Sequence, residues 1–223
     1  LLNKMGARVR GAGTNTIKVQ GVPKLNTVEH QVLPDRIEAG THMIAASITK
    51  GDILVENIIP EHLFPLISKL REAGCEISIR GSRLRISSYR LLGNIDIRTM
   101  PYPGFPTDLQ PQMMALLAVA KGVSVVVENI FENRFRQVDE LRRLGADIKA
   151  EGRMAVIKGV KNLTGAIVEA TDLRAASSLM LAGMVADEVT VIDNVHHLDR
   201  GYENLEKKYN DLGARIIRVN NNH

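Results

Sequence analysis

The chain has 223 residues, with 29 Lys+Arg against 25 Asp+Glu for a net charge of +4, 44% hydrophobic residues and one cysteine. A lone cysteine excludes an internal disulfide framework and a CxxC metal site, and no apolar run approaches the roughly 18 residues that would span a bilayer. The small basic excess, mixed with acids, leaves no nucleic-acid footprint and no membrane-surface patch.

Taken in chain order, Leu1 to Gly6 reads as the end of a helix, and Gly11-Ala12-Gly13-Thr14-Asn15 as the turn of a β-hairpin rather than a phosphate loop, because no helix follows it. A segment with Pro23, Val22 to Thr27, is the expected boundary. From there the sequence repeats itself. Glycines at 6, 74, 145 and 213, spaced by 68, 71 and 68, each follow an apolar periodic run with basic residues and precede an alternating strand. That is the signature of a helix stop in which glycine takes the left-handed backbone conformation. A second set opens helices: Asp35-Arg36-Ile37, Asp108-Leu109-Gln110 and Asp172-Leu173-Arg174. A third set closes strands: Glu56-Asn57-Ile58, Glu128-Asn129-Ile130 and Asp193-Asn194-Val195.

The middle repeat is complete: strand 94–98, helix 107–120, strand 123–128, helix 136–144 and a hairpin of 146–151 with 154–158. One unit is therefore βαβαββ. Unit one runs from about Val28 to Ser88, unit two from about Asn94 to Val160, and unit three from about Gly165 to Ile216, one strand short. Residues 1–22 read as the tail of a further unit, so the sequence reads as part of a longer chain. A period near 70 is too long for common solenoids, so three units are expected to close around one core. Periodicity alone leaves open whether helices or sheets lie inside.

Asp108 has two readings, a cap for the helix that begins at Leu109 and a general base towards a hydroxyl. Arg134 and Arg200 follow the strand-ending Asn of their units and precede helices. A cation is unfavourable at a helix start, which points to an anionic ligand for the guanidinium fork; a surface ion pair with Glu132 or Asp199 is the alternative. Arg174 and Arg36 raise the same question. Cys75 reads as a core residue, His196 and His197 as a polar loop, Met113, Met114, Met180 and Met184 as core, and Asn220 to Asn222 with His223 as a tail.

Five motifs in order carry a resemblance: Leu33-Pro34-Asp35-Arg36-Ile37-Glu38-Ala39-Gly40-Thr41, Pro103-Gly104-Phe105-Pro106-Thr107-Asp108, Glu132-Asn133-Arg134-Phe135, Ala170-Thr171-Asp172-Leu173-Arg174-Ala175 and Asp199-Arg200-Gly201-Tyr202-Glu203. Together they resemble the C-terminal half of the UDP-N-acetylglucosamine 1-carboxyvinyltransferase family of enolpyruvyl transferases. The resemblance implies an inside-out α/β barrel of three βαβαββ repeats with helices inside and sheets outside, residues 31–223 forming this barrel and residues 1–30 ending a preceding one. It implies transfer of the enolpyruvyl group of phosphoenolpyruvate to the 3'-hydroxyl of UDP-N-acetylglucosamine with release of phosphate, in cytoplasmic peptidoglycan synthesis, with no metal and no cofactor. Asp108 matches the carboxylate at the hydroxyl. Ile130 and Phe131 match a sugar-nucleotide contact, Arg134 and Arg200 cationic positions near phosphoenolpyruvate, and Asp172 with Arg174 a pair lining the same cleft. The family's catalytic Cys and phosphate-gripping cations fall in the N-terminal half, Cys75 does not replace that Cys, and the 223-residue chain alone is expected to be inactive. The related enzyme acting on shikimate 3-phosphate, and a non-catalytic binding protein on the same fold, are the alternatives.

Overall fold

A computed structural model describes residues 1–219; the expected tail at Asn220 to His223 lies outside the described residues. The contacts divide the chain into two compact units, Leu1–Pro34 and Asp35–His223. In the first, β1 (Arg8–Arg10) and β2 (Lys18–Gln20) pair antiparallel across the glycine-rich segment. Gly11 and Gly13 there have φ of 81° and 85°, so the segment is a turn as expected. Leu1 to Gly6 makes a single turn, closed by Met5 N–H on the Leu1 carbonyl, rather than a helix end of any length. Val28 to Pro34 forms no strand either, since its backbone makes no ladder with another segment among the described residues.

The second unit opens with α1 (Arg36–Ile48), β3 (Asp52–Val55), α2 (Phe64–Ala73) and the hairpin β4 (Glu76–Arg80) and β5 (Arg83–Ser87). The middle repeat follows: β6 (Ile97–Arg98), α3 (Gln110–Ala118), β7 (Val123–Val127), α4 (Gln137–Arg143), β8 (Asp147–Glu151) and β9 (Met154–Lys158). The last is shorter: β10 (Leu163–Thr164), β11 (Ile167–Glu169), α5 (Leu173–Gly183), β12 (Ala186–Asp187), β13 (Val191–Asp193) and α6 (Leu205–Asp211). The fold is mixed α/β, its strands forming small separate sheets of order β3-β5-β4, β6-β7-β9-β8, β11-β13 and β10-β12. In the first two repeats the second hairpin strand, β5 or β9, sits between its hairpin partner and the strand that precedes the second helix.

The four repeated glycines take φ of 95°, 113°, 90° and 100° at 6, 74, 145 and 213, where only glycine is unstrained. Each stop carries a second shared device. Asn3, Arg71, Arg142 and Asn210 each hydrogen-bond the backbone six residues on, at Val9, Ile77, Ile148 and Ile216. The strand expected after Gly213 does not form among the described residues; the backbone of Ile216 is instead satisfied at both N–H and C=O by Asn210.

Helices, not sheets, take the inner positions. All nine residues of α3 are buried, and α1 and α5 bury ten and eight of theirs. A helix apolar on every side can exist only when surrounded. The strands alternate, with Leu84 and Ile86 of β5 buried beside exposed Arg83 and Arg85, and Ala155 and Ile157 of β9 buried with exposed neighbours. Two buried polar contacts tie the core together: Ser178 of α5 donates to the Pro111 carbonyl of α3 at 2.8 Å, and Thr41 of α1 meets the Tyr202 hydroxyl at 2.9 Å. Cys75 is a buried core thiol donating to Ser47, and its burial pushes its pKa up, so it stays an inert thiol. Met113, Met114 and Met180 are core, with Met184 partly buried.

Candidate functional site

The three repeated aspartates at helix starts do not share one role. Asp35 caps α1, its carboxylate accepting from Ile37 N–H at 2.7 Å. Asp172 caps α5, accepting from Arg174 and Ala175 N–H at 2.8 and 3.1 Å. Asp108 caps nothing. A 3-10 turn, Thr107–Leu109, precedes α3, and its N-cap position is Pro106. The Asp108 carboxylate is thereby left for other partners. Gln112, one turn further along, fixes this start by donating to the Asp108 carbonyl at 2.9 Å.

Those partners are two arginines. Arg134 Nη2 donates to Asp108 Oδ1 at 2.7 Å and to the Thr107 carbonyl at 3.2 Å. Arg174 Nε lies 3.2 Å from the same Oδ1. The Arg134 side chain is only 8% exposed and Asp108 is 43% exposed, so the guanidinium is buried behind a carboxylate that meets solvent. Phe131 covers the guanidinium with its ring centroid 4.8 Å from Cζ, a cation–π contact. Arg134 Nε is buried without a hydrogen-bond partner among the described residues. The surface pair with Glu132 does not form: Glu132 faces Arg153 at 3.7 Å.

Ile130 and Phe131 are half exposed, and their N–H groups both go to Glu128, at 2.8 and 2.9 Å. The Ile130 carbonyl accepts no hydrogen bond among the described residues. Arg200 stands apart. It ends the 3-10 helix Val195–Arg200, so the dipole there favours it, contrary to the helix-start placement expected from the sequence. Its expected surface partner Asp199 pairs with Arg218 instead, and the Arg200 side chain makes no ion pair or hydrogen bond among the described residues. Its neighbour Gly201 abuts Leu173, where an added Cβ would come within 2.9 Å of Cδ2, so Arg200 borders the start of α5.

The structure thus joins Asp108, Arg134, Arg174, Phe131 and the 129–131 turn, with Asp172 holding the start of α5 beside them. Glu128, a member of the third repeated set, carries no site signal in the sequence and is buried beside this cluster. His196 and His197 lie on the same 3-10 helix with ring centroids 4.2 Å apart. Among the described residues no group of His, Cys, Asp and Glu could hold a metal ion. Chemically, the cluster offers a carboxylate with one oxygen, Oδ1, held by two guanidiniums and the other, Oδ2, without a protein partner among the described residues. Such an arrangement can accept a hydroxyl proton while spare guanidinium N–H groups bind an anion.

A family model described as EPSP synthase (3-phosphoshikimate 1-carboxyvinyltransferase) matches residues 1–209. The UDP-N-acetylglucosamine 1-carboxyvinyltransferase of Desulfofundulus thermocisternus is 60% identical over 219 residues, covering 98% of this chain and 90% of that protein. The UDP-N-acetylglucosamine 1-carboxyvinyltransferase 1 of Carboxydothermus hydrogenoformans is 55% identical over 98% of this chain, which spans 52% of that relative's length. Among solved structures, the enolpyruvyl transferase NikO from Streptomyces tendae superposes with a TM-score of 0.82 at 27% identity, over 96% of this chain and 51% of its own. EPSP synthase from Acinetobacter baumannii shares the fold, with a TM-score of 0.72 at 22% identity over 97% of this chain and 54% of its own.

Proposed function

The chain belongs to the EPSP synthase family, among its UDP-N-acetylglucosamine 1-carboxyvinyltransferases, and from that membership we infer that it carries the acceptor side of an enolpyruvyl transfer. The reaction joins the 3'-hydroxyl of UDP-N-acetylglucosamine to C2 of phosphoenolpyruvate and releases phosphate, in cytoplasmic peptidoglycan synthesis. The carrying observation is the Asp108 carboxylate, held at Oδ1 by Arg134 and Arg174 with Oδ2 without a protein partner among the described residues. Oδ2 accepts the hydroxyl proton as the oxygen attacks C2. A proton donor outside this cluster protonates C3; C3 then gives that proton back as the C2–O bond to phosphate breaks, restoring the double bond. Arg134 and Arg174, with Arg200, neutralise phosphate and carboxylate, and such charges act most strongly in a closed, water-poor cleft. Asp172 sets the start of α5 from which Arg174 projects. The exposed Ile130 carbonyl and Phe131 meet the sugar nucleotide.

The finer architecture belongs to the same reading: an inside-out barrel with α1, α3 and α5 at its centre, residues 31–223, and residues 1–30 as the end of a preceding domain. Several relatives are about twice the length this chain matches, and the proton donor and remaining anion-binding cations belong to that further length. The 223-residue chain alone is therefore inactive, and phosphate release from it would overturn this point. Calorimetric titration of the chain assembled with the N-terminal half of the Carboxydothermus relative tests the acceptor. UDP-N-acetylglucosamine is expected to bind and shikimate 3-phosphate not to; the reverse would favour the shikimate reading, and binding of neither a protein without this catalysis.

A further inference from the structure

Glu128 departs from its repeat counterparts as sharply as Asp108 does. Glu56 is exposed and pairs with Arg83 on the surface at 2.8 Å, and Asp193 is exposed, whereas Glu128 is 1% exposed. A buried carboxylate is tolerated only when its oxygens are hydrogen-bonded. Here Oε1 accepts from Thr99 Oγ1 at 2.7 Å, Ile130 N–H at 2.8 Å and Phe131 N–H at 2.9 Å, and Oε2 accepts from Thr107 Oγ1 at 3.0 Å. The Thr99 hydroxyl itself accepts from Asn129 N–H at 2.8 Å, which directs its proton to Glu128. The two N–H groups can only donate and the two hydroxyls donate in this arrangement, the pattern that an acceptor-only side chain satisfies in full.

The backbone differs in step. In the outer repeats the following Asn bends the chain with positive φ, 56° at Asn57 and 58° at Asn194; Asn129 takes no such conformation, and the Glu128 side chain closes the turn instead. One oxygen therefore holds the turn that carries Ile130 and Phe131, and through Phe131 the face of Arg134. The other holds Thr107, whose carbonyl accepts from Arg134 and whose neighbour is Asp108.

We propose that Glu128 is a positioning residue that fastens the 129–131 turn to the Thr107–Asp108 helix start, setting how the acceptor hydroxyl lies over Asp108 Oδ2. The proposal deepens the acceptor reading above and rests on it. Glu128→Gln keeps size and one acceptor oxygen, but replaces the charge-assisted bond from the Thr107 hydroxyl by a weaker neutral one that the hydroxyl must reverse to accept. Thr107→Val removes only the Oε2 link. Glu128→Ala removes both.

Amide hydrogen exchange on the 223-residue chain, read by NMR, separates these links. Glu128→Ala is expected to speed exchange at Ile130 and Phe131 by about tenfold or more while the α3 amides stay protected. Thr107→Val is expected to leave Ile130 and Phe131 unchanged. Unchanged exchange at both amides in Glu128→Ala overturns the proposal whatever the activity. In the assembled enzyme, Glu128→Gln and Thr107→Val are each expected to raise KM for UDP-N-acetylglucosamine about tenfold or more, with KM for phosphoenolpyruvate moved far less. Glu128→Asp, one methylene short, should recover less than Glu128→Gln at Ile130 and Phe131. Equal losses for both substrates in Glu128→Gln and Thr107→Val would make Glu128 merely structural and overturn the proposal. Fast exchange in Glu128→Ala, in an assembly that turns over no sugar nucleotide, would contradict the acceptor reading and leave the link between turn and helix start standing.

Discussion

At the scale of single residues, Asp108 and Arg134 depend on each other. Arg134 is buried, with Nε unpartnered and Nη2 spent on Asp108 and the Thr107 carbonyl. Asp108→Asn leaves that guanidinium against a neutral amide, at a cost of roughly 1–3 kcal/mol in denaturant unfolding. It also removes the proposed base, and kcat of the assembled enzyme is expected to fall about 10²–10⁴-fold. Away from the site, Asp52 accepts from Arg85 at 2.8 Å and from Tyr89 at 2.8 Å, and these bonds hold its pKa at about 2. A carboxylate depressed on folding stabilises above its ordinary value of 3.8 and loses that contribution as pH falls from about 4 towards 2. Asp52→Asn is therefore expected to flatten the acid limb of a stability-against-pH curve; an unchanged limb would show the pair to be inert. His42 adds to the acid sensitivity. Burial lowers its pKa from 6.5, so the folded state resists its protonation and stability falls as pH drops below 6.5.

At the scale of elements, helix starts and stops were the most legible feature of the sequence, because each is encoded within about six residues. The glycine stops at 74, 145 and 213 take left-handed φ as read, and the caps at Asp35 and Asp172 form. Asp172→Ala is expected to cost about 1 kcal/mol in chemical unfolding, with the loss confined to α5 by amide exchange. The role of Asp108 was not decidable locally. Its partner Arg134 lies 26 residues away, and a 3-10 turn behind Pro106 moves the cap off Asp108. Glu128 was hidden for a related reason: its tripeptide matches the other two repeats, and its inward partners include the hydroxyls of Thr99 and Thr107, 29 and 21 residues away. The strand expected after Gly213 failed because a strand needs a ladder partner, which the motif itself does not encode. Gly40, by contrast, marks a close approach. A Cβ there would lie 2.6 Å from Leu109 Cδ1 and 3.0 Å from Leu66 Cδ2, next to Asp108. Gly40→Ala is expected to cost about 1–3 kcal/mol by overpacking. It should also lower kcat, since Leu109 shifts with Asp108; a thermally unchanged variant would contradict the packing.

At the scale of the whole molecule, Asp35, Asp108 and Asp172 stand in repeat-equivalent places before three buried helices, and the starts of α3 and α5 meet where Arg174 lies 3.2 Å from Asp108. Threefold repetition builds the core, and the middle repeat departs from it at two acids, Asp108 and Glu128, where the proposed acceptor site lies. No helix among the described residues is long and apolar enough to cross a membrane. The role proposed for this cluster is an enolpyruvyl transfer to a sugar-nucleotide hydroxyl. Its most direct test is phosphate release from phosphoenolpyruvate by the chain assembled with the N-terminal half of the Carboxydothermus relative, wild type against Asp108→Asn. Release that requires UDP-N-acetylglucosamine and collapses in the variant is the predicted result. Release with shikimate 3-phosphate instead, or release at wild-type rate in Asp108→Asn, would contradict it.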